Sequence, residues 1–242
     1  MEFLKVHNTL VIFRRELKSF FDSPMSYVIL VIFAVVTGYF FTNTFFLYGQ
    51  SDMRALFGIV SLVYLFFVPG ITMSLISREK GLGTIEIIST LPIKDRDIVL
   101  GKYLAGFSLV LIALLTTSLH YITLIAVGNE IDHGAVFTGY LGLALVGGVY
   151  ASIGLFASGL TDNQVVSFII AIAIVFVFWL MDKMLIFVPD SLAGIVQYLS
   201  VEFHLSNISR GVIDTRNLIY FSSVIGFFLF LTTRLVESRR WN

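Results

Sequence analysis

The sequence contains no cysteine and few charged residues. Of its 242 residues none is cysteine and only 13% are charged, against about 25% in an average soluble domain. The absence of cysteine excludes disulfide bonds and thiolate metal sites. The shortage of charge argues against a water-soluble globule, because 57% of the residues are hydrophobic and need another environment. The composition therefore predicts an integral membrane protein.

The sequence also has no excess of charge of either sign. Sixteen lysine and arginine residues balance sixteen aspartate and glutamate residues. Overall charge therefore indicates neither a nucleic-acid partner nor an acidic one, and only the placement of the charges is informative.

Six charge-free stretches are long enough to cross a bilayer. A spanning helix needs about 20 apolar residues, within a range of roughly 17–25, and the uncharged stretches here contain between 17 and 29 residues. The predicted spans are residues 25–47, 55–77, 103–127, 134–159, 163–181 and 217–236. The expected fold class is all-α: one polytopic domain over residues 1–242 with six transmembrane helices.

Lysine and arginine are unequally divided between the two ends of these spans. Twelve lie at the end that carries both termini and the loop 78–98, and four lie at the other end. Because positive residues remain on the cytoplasmic side, both termini and the loop 78–98 are predicted to be cytoplasmic. The segment 182–216 is then predicted to lie outside.

Residues 1–24 predict an amphipathic helix on the membrane surface rather than a cleavable signal peptide. Apolar residues recur in steps of three and four, and they form a stripe of Phe3, Val6, Leu10, Phe13, Leu17 and Phe20. Arg14, Arg15 and Lys18 lie off this stripe. We expect the basic residues to face lipid headgroups and the stripe to enter the acyl boundary. A solvated helix packed on a partner is the alternative.

The loop 78–98 is the most densely charged part of the chain. Thr84 can cap a short helix that has Glu86 in its first turn and ends at Pro92. Isoleucines such as Ile87 would make this helix poorly soluble unless a partner covered them. They could instead lie against the membrane.

This loop resembles that of the ABC-2-type permeases, the membrane subunits of a class of ATP-driven transporters. Their loop reads E-x-x-x-G-T-x-E, then hydrophobic residues and a proline, and the matching positions here are Glu79, Gly83, Thr84, Glu86 and Pro92. The basic amino-terminal helix, six spans and long outer segment extend the resemblance over nearly the whole chain. Residues 203–221 look most like the permease subunit associated with bacterial gliding motility.

The resemblance implies a division of labour in a bacterial inner membrane. In that family two permeases form the membrane pathway, and a separate cytoplasmic ABC ATPase hydrolyses ATP. The loop helix docks on the ATPase beside the amino-terminal helix. The implied ATPase contacts are Glu79, Gly83, Thr84, Glu86, Ile87 and Pro92, and the interfacial helix includes Phe13, Arg14, Arg15, Leu17 and Lys18. The second permease is the same chain or a larger membrane subunit.

No motif predicts that the chain is itself an enzyme or binds a cofactor. The sequence has no G-x-x-x-x-G-K-[ST] phosphate loop, no HExxH and no GxSxG. We therefore expect a non-catalytic subunit whose partner binds ATP, with no metal.

The segment 182–216 is predicted to form a surface or re-entrant structure, because the uncharged stretch between Asp190 and Glu202 is too short to span. By resemblance it caps the exit side, where Glu202, His204 and Arg210 are possible contacts for a substrate or an outer partner. Local ion pairs of Asp214 with Arg210 or Arg216 are an alternative use of these charges.

Two features within the spans have two interpretations each. Ala144, Gly148 and Ser152 form a face of small residues that contacts another permease or packs within the subunit. His120 is functional, or it is a neutral side chain bonded to Ser118 or to a carbonyl.

Two other classes of function compete with the permease. A carrier or channel without ATP would need paired intramembrane charges or broken helices, and neither is apparent in the sequence. A membrane scaffold would not need the docking helix of the loop 78–98. We therefore predict a permease subunit used for export or mechanical work, and the substrate stays open.

Overall fold

The computed structural model describes residues 2–47, 53–84, 93–128 and 131–238, with the backbone alone for residues 2–7, 46 and 47. The described residues form helices and turns, without a β-strand. Six helices have the length and composition to cross a membrane, which confirms the predicted number. These spans are Pro24–Phe45, Arg54–Gly81, Asp95–Val127, His133–Leu160, Gln164–Phe187 and Thr215–Ser238.

The helices are numbered in chain order. The first four are α1 (Glu2–Asp22), α2 (Pro24–Thr42, followed by a π-helical turn Asn43–Leu47), α3 (Arg54–Thr72) and α4 (Ser77–Gly81). The next four are α5 (Asp95–Thr116), α6 (Ser118–Val127), α7 (His133–Leu160) and α8 (Gln164–Met184, followed by a 3₁₀ turn Leu185–Phe187). The last three are α9 (Asp190–Leu199), α10 (Val201–Ile208) and α11 (Thr215–Ser238).

The six spans run alternately up and down, so α1 and the end of α11 lie at the same end of the bundle. We call this the α1 end. At that end Leu235 lies beside Gly159 and Ile76. The opposite end, which carries α9 and α10, is called the α10 end.

Helix α7 is the centre of the bundle, since it packs against α3, α5, α8, α10 and α11. Its small residues allow these close contacts. A Cβ at Gly148 would touch Ile225, Tyr103 and Phe107 of the same chain. Ser152 is fully buried and bonds to Val149 O. The face of small residues therefore packs within the subunit.

Alanine at Gly154 is expected to destabilise the bundle by about 1–3 kcal/mol, the usual cost of overpacking. A Cβ there would overlap the Thr72 hydroxyl and lie 2.9 Å from Thr72 Cβ. The matched control is Gly226→Ala in α11, because no heavy atom lies within 4 Å of that Cβ. The control should unfold at or above the wild-type temperature, since alanine favours helix over glycine. Equal thermal unfolding of both variants in detergent would contradict this packing.

Two spans are interrupted, although no broken helix is apparent in the sequence. The third span has a single turn residue, Thr117, between α5 and α6. The second stops being helical over residues 73–76, between α3 and α4. The 19 residues of α3 rise about 28 Å at 1.5 Å per residue, so this break lies close to the α1 end and far from the bilayer centre.

A serine on α7 satisfies the backbone at the break. Ser158 Oγ donates to Met73 O (2.8 Å) and accepts from Ile76 N (3.0 Å) and Ser77 N (2.9 Å). These bonds use the one donor and both lone pairs of a hydroxyl. Ile76 stands at the N-cap of α4 and has no side-chain oxygen, so α7 supplies the cap that the local sequence lacks.

Candidate functional site

A buried lysine occupies the centre of the α1 end. Lys102 lies in the second turn of α5 and its side chain is 1% exposed. Its Nζ donates to Glu16 Oε1 (3.1 Å), contacts Glu79 Oε1 (2.9 Å) and donates to Leu75 O (2.6 Å). The three N–H donors of the ammonium group thus face oxygens from α1, α4 and the break after α3.

An arginine on α1 completes a group of four charges. Arg15 Nη2 donates to Glu79 Oε1 (2.9 Å) and also contacts Glu16. We call Arg15, Glu16, Glu79 and Lys102 the ion cluster; two bases balance its two acids. Burial alone would raise the pKa of Glu16, but the charges of Lys102 and Arg15 outweigh that effect and lower it below the usual 4.5.

The packing of α1 on α5 brings Glu16 to this position. Thr9, Ile12 and Glu16 recur in helical steps on the face of α1 that lies against the bundle, and Ile12 is buried. Gly101 allows the close approach, because a Cβ there would lie 2.7 Å from Ile12 Cγ2 and 3.0 Å from Thr9 O. The stripe predicted from the sequence is a neighbouring face: Leu10 is exposed, and Phe13 and Leu17 are half-buried.

The other residues predicted to contact the ATPase or the membrane surface lie after α4 and along α1. Gly83 has φ +69°, a left-handed conformation that favours glycine after a helix, and Thr84 Oγ1 donates to Glu79 O (3.2 Å). Arg14 and Lys18 are exposed. Glu86, Ile87 and Pro92 lie outside the described residues, so the predicted loop helix is not described.

Sequence reasoning missed the ion cluster as a unit. Lys102 looks like an interfacial anchor at the start of a span, yet the structure buries it. Glu16 belongs to the RREL stretch 14–17, which resembles the family without indicating a partner for it, and Ser158 belongs to no motif. One signal was present: four uncharged residues, Ile98–Gly101, precede Lys102 and a long apolar run follows it, so the lysine lies within the apolar helix rather than at its edge.

The predicted outer-face residues divide between two cavities at the α10 end. Glu202 and Arg210 line a cavity of about 470 Å³ together with Arg54, Asp182 and Lys183. Glu202 accepts a hydrogen bond from the buried Ser61. Burial raises the pKa of Glu202, and the bond from Ser61 and the charge of Lys183 offset this only in part.

His204 lines the second cavity, of about 350 Å³, but its ring is 1% exposed. Nδ1 lies 2.7 Å from Asn217 Oδ1 and Nε2 lies 2.8 Å from Tyr198 O. The ring also stacks on Tyr220 at 3.9 Å between centroids. His204 therefore ties α10 to α9 and α11. Asp214 binds the backbone N–H of Arg216 (2.8 Å) at the start of α11 rather than an arginine side chain.

His120 lies against a neighbouring span. Its ring stacks on Phe41 of α2 at 4.7 Å between centroids. Ser118, a candidate partner in sequence, donates instead to Leu115 O. Within the described ranges, no group of three or more His, Asp or Glu residues could hold a metal ion.

Comparison with known families places these features in context. The model of the ABC-2 type transporter family matches residues 7–200, which extend from α1 to the end of α9. No curated protein sequence matches the chain closely. ABC-2 permease domains generally work with a cytoplasmic ATPase partner. Since the family model covers most of the chain, this protein is a multi-pass membrane protein that belongs to the ABC-2 type transporter family.

Proposed function

We propose that this chain is the permease subunit that couples ATP hydrolysis by a separate cytoplasmic ABC ATPase to export or mechanical work. The observation that carries the proposal is the ion cluster. It joins α1, α4 and α5, and it contains Glu79, the first of the ATPase contacts that the resemblance implies. Helix α4 leads into the next implied contacts, Gly83 and Thr84. A displacement of those contacts by the ATPase would move α4 first. The ion pairs of Glu79 with Arg15 and Lys102 would then transmit the movement to α1 and α5.

The break at residues 73–76 ends the continuous helix between α3 and α4, and Ser158 of α7 holds α4 in place across it. Rigid elements that shift about short non-helical segments are a common form of conformational switch. A nucleotide-dependent ATPase can bias the permease only if it binds two permease conformations with different affinity. The segment from the break to Glu79 is the element whose position such an ATPase would bias.

The charge distribution supports a cytoplasmic α1 end. Twelve of the sixteen lysine and arginine residues belong to segments at that end, as the positive-inside rule requires of a cytoplasmic face. In this orientation the partly exposed apolar stripe of α1 faces the acyl boundary of the inner leaflet, and Arg14 and Lys18 face headgroups. Both termini are then cytoplasmic, and α9 and α10 face outwards.

Catalysis and nucleotide binding are assigned to the partner. The sequence has no phosphate-binding loop, so the chain contributes no catalytic residue and no cofactor site of its own. A second permease, identical or larger, completes the membrane pathway. The outer cavity that contains Glu202 and Arg210 is the proposed contact for a substrate or an outer partner.

The narrower assignment is a permease of bacterial gliding motility, in the bacterial inner membrane. It is supported by the resemblance of residues 203–221, which form most of α10, the loop after it and the start of α11. This segment lies beyond the part of the chain matched by the family model. The mechanical work proposed above would suit such a system.

Glu86→Arg or Ile87→Asp is expected to reduce co-purification of the ATPase in mild detergent at least tenfold. Each change places an unfavourable charge in the proposed contact. Ile195→Asp is the matched control, because Ile195 is an exposed isoleucine at the α10 end. This substitution should leave recovery of the ATPase unchanged. Purification of wild-type chain without any ATPase would favour the carrier. If a membrane-impermeant thiol reagent added outside the cell labels Thr84→Cys, the α1 end is not cytoplasmic and the proposed orientation is wrong.

A further inference from the structure

Two cavities meet between α1, α2, α3 and α8. The first, of about 720 Å³, lies at the α1 end beside the ion cluster. The second, of about 550 Å³, runs along α2 and α3 towards α8. Both are lined by Met25, Ile29, Gly70 and Met73. They therefore form one continuous groove, which we call the α2–α3 groove.

The end of the groove at α1 is polar. Arg15, Arg78, Glu16 and Glu79 line it, and the buried Lys102, which does not line it, contacts both glutamates. Arg15 and Lys102 balance Glu16 and Glu79, whereas the exposed Arg78 forms no ion pair with any described residue. Four serine hydroxyls line the same end and do not hydrogen-bond to the described part of the chain. They belong to Ser19, Ser23, Ser26 and Ser74.

The other end of the groove is apolar. Its walls include Phe33, Val36, Phe66 and Phe168, and no charged residue lines it. The eleven-residue step from Met25 to Val36 along α2 corresponds to about 16 Å at 1.5 Å per residue. The hydrocarbon core of a bilayer is about 30 Å thick. The groove therefore reaches from the headgroup level at the α1 end to the middle of the membrane, the depth of one leaflet.

We propose that the α2–α3 groove binds one anionic phospholipid from the leaflet at the α1 end. The phosphate lies beside Arg78 and the serine hydroxyls, since guanidinium groups form strong charge-assisted hydrogen bonds with phosphate. An acyl chain lies against Phe33, Phe66 and Phe168. A spanning helix of a second copy would cross both leaflets, whereas the groove ends at half that depth and opens on a polar mouth lined by Arg78. A lipid matches both features.

The test measures lipid retention by native mass spectrometry of the detergent-purified chain. Phosphatidylglycerol and phosphatidylcholine are supplied at equal concentration. The wild type is expected to retain one phosphatidylglycerol under conditions that remove phosphatidylcholine. Arg78→Gln should reduce that retention at least tenfold. The control Arg96→Gln removes another exposed cation from the α1 end that does not line the groove, and it should retain the lipid.

A second variant tests the apolar part. Gly70 lies where the cavities join, and a Cβ there meets only Phe168 at 3.9 Å, so Gly70→Phe fills the groove and should reduce lipid retention. Equal retention of the two lipids by the wild type would overturn the proposal. Equal losses of phosphatidylglycerol retention in Arg78→Gln and Arg96→Gln would also overturn it. The same holds if inorganic phosphate binds without displacing the lipid. Disulfide formation between two Ile32→Cys chains in membranes would assign the groove to a second copy.

Discussion

Replacement of Lys102 by methionine is expected to destabilise the protein by roughly 3–5 kcal/mol, the usual effect of removing one partner from a buried ion pair. Methionine fills a similar volume but donates no hydrogen bond. Glu16 and Glu79 would then share only Arg15, and the carbonyl of Leu75 would lose its donor. The measurement is thermal or denaturant unfolding of the purified protein in detergent.

The pH dependence of this effect distinguishes lost charge pairing from poor packing. Glu16 has a lowered pKa in the wild type, so its contribution to stability is present above the usual carboxyl pKa of 4.5 and is lost as the pH falls through the folded-state value. In Lys102→Met, protonation relieves the repulsion between the two acids. The difference in stability between variant and wild type should therefore shrink as the pH approaches 4.5.

The matched control for Lys102 is Lys94→Met. Lys94 immediately precedes the same helix, but it is exposed and belongs to no ion pair of the described part of the chain. Its replacement should change stability by less than about 0.5 kcal/mol. Equal effects of the two substitutions, or a Lys102→Met deficit that is independent of pH, would contradict the buried ion cluster.

The number and order of the spans could be predicted because charge placement nearly determines them. A charged side chain at the centre of a span costs roughly 2.5–3.5 kcal/mol, so long uncharged stretches have few alternatives to crossing the membrane. The same criterion does not locate helix ends. The helix that contains the predicted span 103–127 already begins at Asp95, and α1 packs on this part of α5, where Glu16 pairs with Lys102.

The functional arrangement could not be predicted because it depends on contacts between distant segments. Glu16 and Lys102 are 86 positions apart in the chain, and no local pattern relates them. The apolar stripe of α1 predicts a helix, but not that the adjoining face with Ile12 and Glu16 packs on α5. The resemblance predicts His204 as an outer contact, whereas Asn217, Tyr198 and Tyr220 enclose it.

Replacement of Ser158 by alanine is expected to loosen α4 and lower the stability of the protein. The variant leaves the N–H groups of Ile76 and Ser77 without their partner, and the carbonyl of Met73 keeps only the hydrogen bond from Ser77 Oγ. Each buried group that is left unpaired costs about 1–3 kcal/mol. Because α4 carries Glu79 and leads into the proposed docking loop, the permease would lose part of the rigid connection between that loop and the bundle.

Hydrogen exchange measures this local effect directly, since the amides of Ile76 and Ser77 should exchange much faster in Ser158→Ala than in the wild type. Ser152→Ala is the matched control: the same residue type, on the same helix and equally buried, but bonded only to Val149 O of its own helix. It should leave both amides protected and cost less stability. If the two variants exchange alike, Ser158 does not cap α4. If Ser158→Ala alone opens α4 and also weakens ATPase recovery, the cap lies on the route by which the partner acts on the bundle.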